Sequence, residues 1–350
     1  MGILASAGHS VRATPSAQPT STASEANAWR TALRTAVRDA AQLIRAVGLP
    51  DSLLAEAQAA ERSFPVFAPL GYIARMRSGD PFDPLLRQVL PLGDELRPVA
   101  GFSRDPVGDQ AATLSPGLLQ KYHSRALIVS TSACAVHCRY CFRREFPYEE
   151  APRSPAAWQP ALDRVAADPT IDEVILSGGD PLTLVDSQLA DLVARIAAIP
   201  HIRRLRVHTR LPVIIPERVT GEMLAWLAGT RLTPIVVLHA NHANEIDASV
   251  EAALARLTDV GVPLLNQAVL LRGVNDSVEA LENLCRKLVD LRVMPYYLHQ
   301  LDRVVGAAHF EVPVEQGMVL VDKLRARLPG YAVPRYVQEV PGETGKRVLL

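Results

Sequence analysis

From about residue 124 the chain alternates between short apolar runs and longer amphipathic stretches. RALIVST (125–131), DEVILSG (172–178), RLRVHT (204–209), PIVVLHA (234–240), PLLNQAVLL (263–271) and MPYYLHQ (294–300) have the length and the branched, apolar content of strands. Between them SQLADLVARIAAI (187–199), EIDASVEAALARLTDVG (245–261) and SVEALENLCRKLVDL (277–291) carry apolar residues at helical spacing. Strand and helix alternating around six strands predict an α/β fold, a parallel sheet with helices outside it that forms an open or closed (β/α)6 barrel. Ligands of such folds bind at the carboxyl ends of the strands. The polar residues gather there: CAVHCRYC follows the first run, SGGD ends the second, HTR the third and HANH the fourth, NQ lies in the fifth, and LHQLD ends the sixth.

The first hundred residues read differently. AWRTALRTAVRDAAQLIRAVGL (28–49) has helical spacing and runs out at a glycine, and DSLLAEAQAAERSF begins with an Asp–Ser cap signal. The pattern divides the chain into a disordered Ala/Ser/Thr/Pro-rich tail (1–26), a helical N-terminal region (27–105), a core (106–310) and a C-terminal segment (311–350). Lys plus Arg and Asp plus Glu are equal at 37 each, which argues against a nucleic-acid or anionic-membrane partner. No apolar run approaches the roughly 20 residues of a spanning helix. The N-terminus lacks the apolar stretch of a signal peptide, and its loose myristoylation pattern (Gly2, Ser6) is of a kind that chance supplies. Four cysteines, three of them clustered, are no disulfide framework, so a reducing cytoplasm is the expected setting.

Those three, Cys134, Cys138 and Cys141, carry the strongest chemical signal. A structural zinc requires four closed ligands, and His137 would have to fold back to be the fourth. Three thiolates from one loop can instead hold three irons of a four-iron, four-sulfur cluster and leave the fourth iron open to a small molecule. The remaining cysteine, Cys285, shares an apolar helical face with Leu281, Leu284 and Leu288 and reads as core.

The C-x3-C-x2-C spacing on a loop after the first strand resembles the radical S-adenosylmethionine superfamily. SGGDP, with Ser177, Gly178, Gly179 and Asp180, resembles the GGE-like motif at the methionine amino group. RALIVSTSACAVHCRYCFRREF, ILSGGDPL, HANHANEI, NQAVLLRGVND, MPYYLHQLDRVVGAAHF and YAVPRYVQEVPGETGK narrow the likeness to the lysine 2,3-aminomutase family, in order, from about residue 100 to 346. The resemblance implies a partial (β/α)6 radical SAM barrel with a short C-terminal cofactor-binding segment. It implies three cofactors: a 4Fe-4S cluster, S-adenosyl-L-methionine and pyridoxal 5′-phosphate, the last on a lysine near the C-terminus. Here that lysine is Lys346, which on residue type alone is a solvated tail lysine.

The same resemblance assigns the other positions. Arg143 pairs with the substrate α-carboxylate. Asp302 holds the substrate side-chain ammonium together with Glu339, which replaces the aspartate of the free-lysine enzymes. Arg125 binds cofactor phosphate, and His239 and Gln267 contact the adenosylmethionine or the pyridoxal phosphate. Without the family, Arg143 is a surface arginine, Arg125 a strand-edge charge, and Asp302 and Glu339 ordinary loop acids. An extended stretch at Tyr336–Val340, with turns at Gly342 and Gly345, is expected to aim Lys346 inward. The implied reaction is isomerisation of L-lysine to β-lysine, begun by a deoxyadenosyl radical, with an electron donor such as flavodoxin or ferredoxin and a possible homo-oligomer. The sequence ends four residues after Lys346, which agrees with the shorter branch that supplies β-lysine, through a lysyl-ligase, for modification of elongation factor P. The alternatives are free-lysine metabolism, another amino acid as substrate, and a non-catalytic iron–sulfur or zinc-binding scaffold.

Overall fold

The computed structural model describes residues 22–150, 152 and 154–350. Ten strands form one sheet whose spatial order follows the chain. They are β1 (Thr113–Ser115), β2 (Leu118–Tyr122), β3 (Arg125–Thr131), β4 (Glu173–Gly178), β5 (Arg204–Thr209), β6 (Thr233–Leu238), β7 (Leu264–Val269), β8 (Val293–His299), β9 (Arg335–Gln338) and β10 (Arg347–Val348). Strands β3 to β9 run parallel, while β1, β2 and β10 add antiparallel edges.

The six apolar runs are β3 to β8. Strand β9 overlaps the extended stretch expected at Tyr336–Val340, and the other three escaped the periodicity reading for local reasons. LLQKY is too polar, and β1 and β10 have only three and two residues. Strand β2 turns into β3 across His123–Ser124, with Ser124 left-handed at φ 65°.

Helices on the outer face alternate with the parallel strands. They include Asp186–Ala197, Ala248–Asp259 and Val278–Asp290, the last two capped by the side chains of Asp247 and Ser277. Each such cap stabilises its helix by about 1 kcal/mol. Val278–Asp290 buries Leu281, Leu284, Cys285 and Leu288 on one face, so Cys285 is a core residue.

The inward faces of the strands are polar. In RLRVHT, Leu205, Val207 and Thr209 are buried, and the alternate positions Arg206 and His208 line a cavity. Gln267 and Val269 of β7 and Tyr297 and His299 of β8 do the same. The sheet curves until its two sides meet through side chains: the Tyr122 hydroxyl of β2 donates to Glu339, just past β9, at 2.6 Å. The barrel is therefore partial in backbone pairing and closed on this side by a tyrosine–glutamate contact.

The N-terminal region departs from the sequence reading in three ways. Helix begins at Thr22, inside the expected tail, where Glu25 accepts from the Gly221 amide at 3.0 Å and pairs with Arg256 at 3.3 Å. The rest of the expected tail, residues 1–21, lies outside the described residues. The long helix of 28–49 is two, Thr22–Arg34 and Ala40–Ala46, because Asp39 adopts extended backbone and caps the second. Asp51 does not cap the next helix; it opens a short tight turn after Pro50. One apolar core runs from Trp29 through the barrel to Tyr336, so these helices pack as part of the same body. Among the described residues no helix is long and apolar enough to cross a membrane.

Candidate active site

The loop after β3 carries Cys134, Cys138 and Cys141, and all three open on one cavity of about 540 Å³. Burial, then the neighbouring sulfurs, push the Cys134 and Cys141 thiols up, Cys141 to about 11. Metal binding must therefore release protons here. The His137 Nδ1 lies 2.9 Å from the Pro65 carbonyl and its ring stacks on Phe64. Among the described residues no three His, Cys, Asp or Glu side chains converge as a single metal ion demands. Three spread cysteines on one loop suit the larger cluster.

The loop is fastened from below by the N-terminal region. Glu95 accepts from Arg139 at 2.8 and 2.6 Å and pairs with Arg144 at 3.0 Å, all three side chains being almost wholly buried. Arg139 also donates to the Phe64 carbonyl at 2.6 Å, and the His137 and Arg139 amides donate to Phe67 and Gln88 carbonyls.

SGGD serves this loop in a way the sequence reading did not foresee. A Cβ on Gly179 would lie 2.7 Å from the Ala133 carbonyl carbon, and one on Gly178 2.5 Å from the Thr131 oxygen. The glycines let two backbones touch, and the Gly179 and Asp180 amides donate to Thr131 and Ala133. The Asp180 carboxylate accepts from the Thr209 hydroxyl at 2.7 Å and the Arg210 amide at 2.6 Å. Burial raises it to about 6 against the pull of these bonds. It thus joins β4 to β5, and Ser177, Gly178, Gly179 and Asp180 all line the cavity.

Across the cavity wall charges alternate in sign. Arg143 donates through Nε to Asp109 at 2.8 Å, Asp109 pairs with Lys121 at 2.7 Å, Lys121 stands 3.6 Å from Glu339, and Lys346 donates to Glu339. Burial alone would raise Asp109 and Glu339. Arg143 and Lys121 outweigh it at Asp109, and Lys346, Tyr122 and Lys121 at Glu339, so both are held below their ordinary values. Arg143 also donates through Nη1 to Ser177 at 3.2 Å. Its fork is aimed by two protein partners, Asp109 and Ser177.

Asp302 lines the same cavity, and burial pushes its carboxyl up to about 7, with Lys346 and Lys121 pulling it down and Glu339 and Asp109 pushing it up. Lys346 reaches the cavity from the β9–β10 hairpin, whose turn holds Gly342 at φ 83°. Arg125 lies over the Tyr122 ring at 4.6 Å. His208, His239 and His299 are kept neutral by burial, His239 at about 3. His239 meets the Tyr140 hydroxyl at 3.0 Å, whereas the buried Nε2 atoms of His208 and His299 have no partner. Gln267 completes the lining. Lys346, Arg125, Arg143, His239, Gln267, Asp302, Glu339 and the three cysteines thus share one cavity.

The sequence reading gave no place to Asp109, Lys121, Tyr122, Arg206 and Tyr297, and it had His208, Arg210 and His299 only as parts of the polar strand ends HTR and LHQLD, with no role assigned. Period-two alternation of polar residues in RLRVHT and YYLH was the available signal for four of them. Arg210 is buried in a network with Glu245 (2.8 Å), Gln88 (2.7 Å) and Tyr140 (2.9 Å), and its Nη1 lies 2.7 Å from the Cys138 sulfur.

A parallel, curved sheet with three cysteines on the loop after its first parallel strand defines a radical SAM enzyme. Residues 128–285 match the model of the Radical SAM superfamily, whose members carry a 4Fe-4S cluster and S-adenosylmethionine. An L-lysine 2,3-aminomutase of Escherichia coli (strain K12) is 47% identical over 322 residues, covering 92% of this chain and 94% of its own length. One from Haemophilus influenzae is 44% identical over 318 residues, covering 91% and 94%. One from Clostridium subterminale is 37% identical over 281 residues, covering 80% and 67%. The chain belongs to the L-lysine 2,3-aminomutase family and is an isomerase.

Proposed function

We propose that the chain converts L-lysine to β-lysine, with pyridoxal phosphate attached at Lys346. The observation that carries this reading is the placement of opposed charges in one cavity. Arg143, aimed by Asp109, lies beside the cysteine loop, and the Asp302 and Glu339 carboxyls lie beside Lys346. An amino acid with a carboxylate at one end and an ammonium at the other fits between them. A glutamate-type substrate would put its second carboxylate against Asp302 and Glu339, which disfavours it.

The residues also fit the cofactors. Arg125 is a cavity-lining cation stacked on Tyr122, suited to a phosphate, and the unpartnered His208 and His299 nitrogens are available to polar ligand atoms. Gly178, Gly179, His239 and Gln267 line the same cavity, the glycines suited to the adenosylmethionine and His239 and Gln267 to it or to the pyridoxal phosphate. When bound, these groups supply a carbon radical and a conjugated carbonyl that spreads an unpaired electron. The chain's own residues hold the two ends of the substrate, orient its β-carbon and exclude water.

The thiolate cluster calls for a reducing compartment such as the cytoplasm, and for a low-potential electron donor such as flavodoxin or ferredoxin. Supply of β-lysine to a lysyl-ligase that modifies elongation factor P is the use we propose for the product. The decisive experiment is anaerobic reconstitution with iron, sulfide, S-adenosylmethionine and pyridoxal phosphate, followed by mass-resolved chromatography of lysine. Formation of β-lysine is expected. Borohydride reduction should place a phosphopyridoxyl group on the peptide with Lys346; a label on Lys287 or Lys323 refutes the cofactor assignment.

A further inference from the structure

The buried network around Arg210 contains one contact that its own charge balance does not require. Arg210 follows β5, and its amide donates to Asp180 at 2.6 Å, which fixes where its side chain starts. The guanidinium is 7% exposed and meets a wholly buried carboxylate, Glu245. Nη2 donates to Glu245 at 2.8 Å and to Gln88 at 2.7 Å. A bidentate pair would give the carboxylate a second nitrogen of the same fork. Here Nη1 instead meets the Tyr140 hydroxyl at 2.9 Å and the Cys138 sulfur at 2.7 Å, while the buried Nε has no partner. The carboxylate is equally fixed, since Glu245 accepts from the Asn241 and His242 amides at 2.8 and 3.0 Å. Among the described residues no other side chain donates to a sulfur of the cysteine loop.

We propose that Arg210 and Glu245 act as a matched pair that sets the reduction potential of the iron–sulfur cluster, Arg210 raising it by N–H···S donation to Cys138 and Glu245 restraining that rise. This rests on the reading of the three cysteines as cluster ligands. Reduction adds one electron, delivered by the external low-potential donor, and part of the added charge falls on the ligand sulfurs. A hydrogen bond to such a sulfur is stronger in the reduced state, so the donor shifts the potential upward. Glu245 stands on the other terminal nitrogen of the guanidinium, and its negative charge opposes the effect from further away. Both charges are buried, so salt screens them little. The two residues thus act with opposite sign. A tie that merely fastened β5 to the cysteine loop would alter stability, and its loss from either end would not move the potential in opposite directions.

The test is a redox titration of the reconstituted full-length chain, followed by electron paramagnetic resonance before S-adenosylmethionine is added. Arg210→Gln should lower the midpoint by at least 59 mV, which is a tenfold change in the one-electron equilibrium. Glu245→Gln keeps the shape of the side chain, removes its charge and should raise the midpoint. An Arg210→Gln protein with parental iron content and circular dichroism, and a midpoint equal to or above that of the parent, overturns the inference. A midpoint unchanged or lowered in Glu245→Gln overturns it too, and that comparison decides alone where Arg210→Gln retains no cluster. Failure of the parent to take up iron would instead overturn the ligand reading of the cysteines.

Discussion

Replacing Glu95 by alanine should damage the metal site from the far side of the cysteine loop. Glu95 is 5% exposed and serves two buried arginines, Arg139 and Arg144, together with the Leu92 amide at 3.1 Å. Removing one partner of a buried ion pair costs about 3–5 kcal/mol, because the other charge stays behind without compensation. With an unfolding entropy of about 2.1 cal/mol/K per residue, a chain of 350 residues has about 0.7 kcal/mol/K, so a loss of about 4 kcal/mol lowers Tm by about 6 °C. Thermal unfolding of cluster-free protein, followed by circular dichroism, measures this directly. Iron content after anaerobic reconstitution should also fall, since Arg139 ties the stretch between Cys138 and Cys141 to Phe64 and Glu95. A Glu95→Ala protein that melts within a degree of the parent and takes up a full complement of iron would refute the idea that this triad holds the loop.

Serine at Cys134, Cys138 or Cys141 should abolish iron uptake and its brown absorption. Serine at Cys285, a core thiol pushed up to about 12 by burial, should leave both intact. Binding of L-lysine to the cofactor-loaded enzyme should weaken as pH falls, because burial raises the Asp302 carboxyl, to about 7 while the Lys346 ammonium is free, and only its ionised form attracts an ammonium. The limiting slope is about tenfold per pH unit, and calorimetry on Asp302→Asn should show the dependence flattened. Gly179→Ala should yield protein with little or no cluster, measured as iron per chain, since the new methyl would strike the Ala133 carbonyl. Arg143→Lys should raise KM for lysine about tenfold or more with iron content unchanged, because a point ammonium cannot keep the bonds to both Asp109 and Ser177.

The six central strands and the helices between them were legible because their burial imposes periodicity. The ligand loop was legible because three cysteines within eight residues form a soft donor set that suits a metal cluster and little else. What stayed hidden had no local signature. Asp109 sits in a turn-rich stretch, GDQAA, and Lys121 on an edge strand; their pairing depends on β2 folding against β3 and on the barrel curving round to Glu339. Gly178 and Gly179 were recognisable as a motif, but the backbone they accommodate, Thr131 to Ala133, became evident only when β3 and β4 were side by side. The start of the N-terminal helix was misjudged because Glu25 finds its partners, Gly221 and Arg256, about 200 residues downstream, whereas its early end reflects the local cap at Asp39.

The strand order repeats the order of synthesis, since each strand of β1 to β10 pairs with the ones made just before and just after it. Such a sheet can grow by accretion on the ribosome, every new strand finding its edge already present, with no late insertion between older strands. The arrangement also sets a sequence of competence. The cysteine loop is complete once β3 and β4 are laid down, whereas the Lys346 turn arrives only with β9 and β10. A nascent chain therefore acquires the radical-forming half of its chemistry first and the amine-handling half last. A polypeptide halted after β8 would hold the cluster ligands without Lys346.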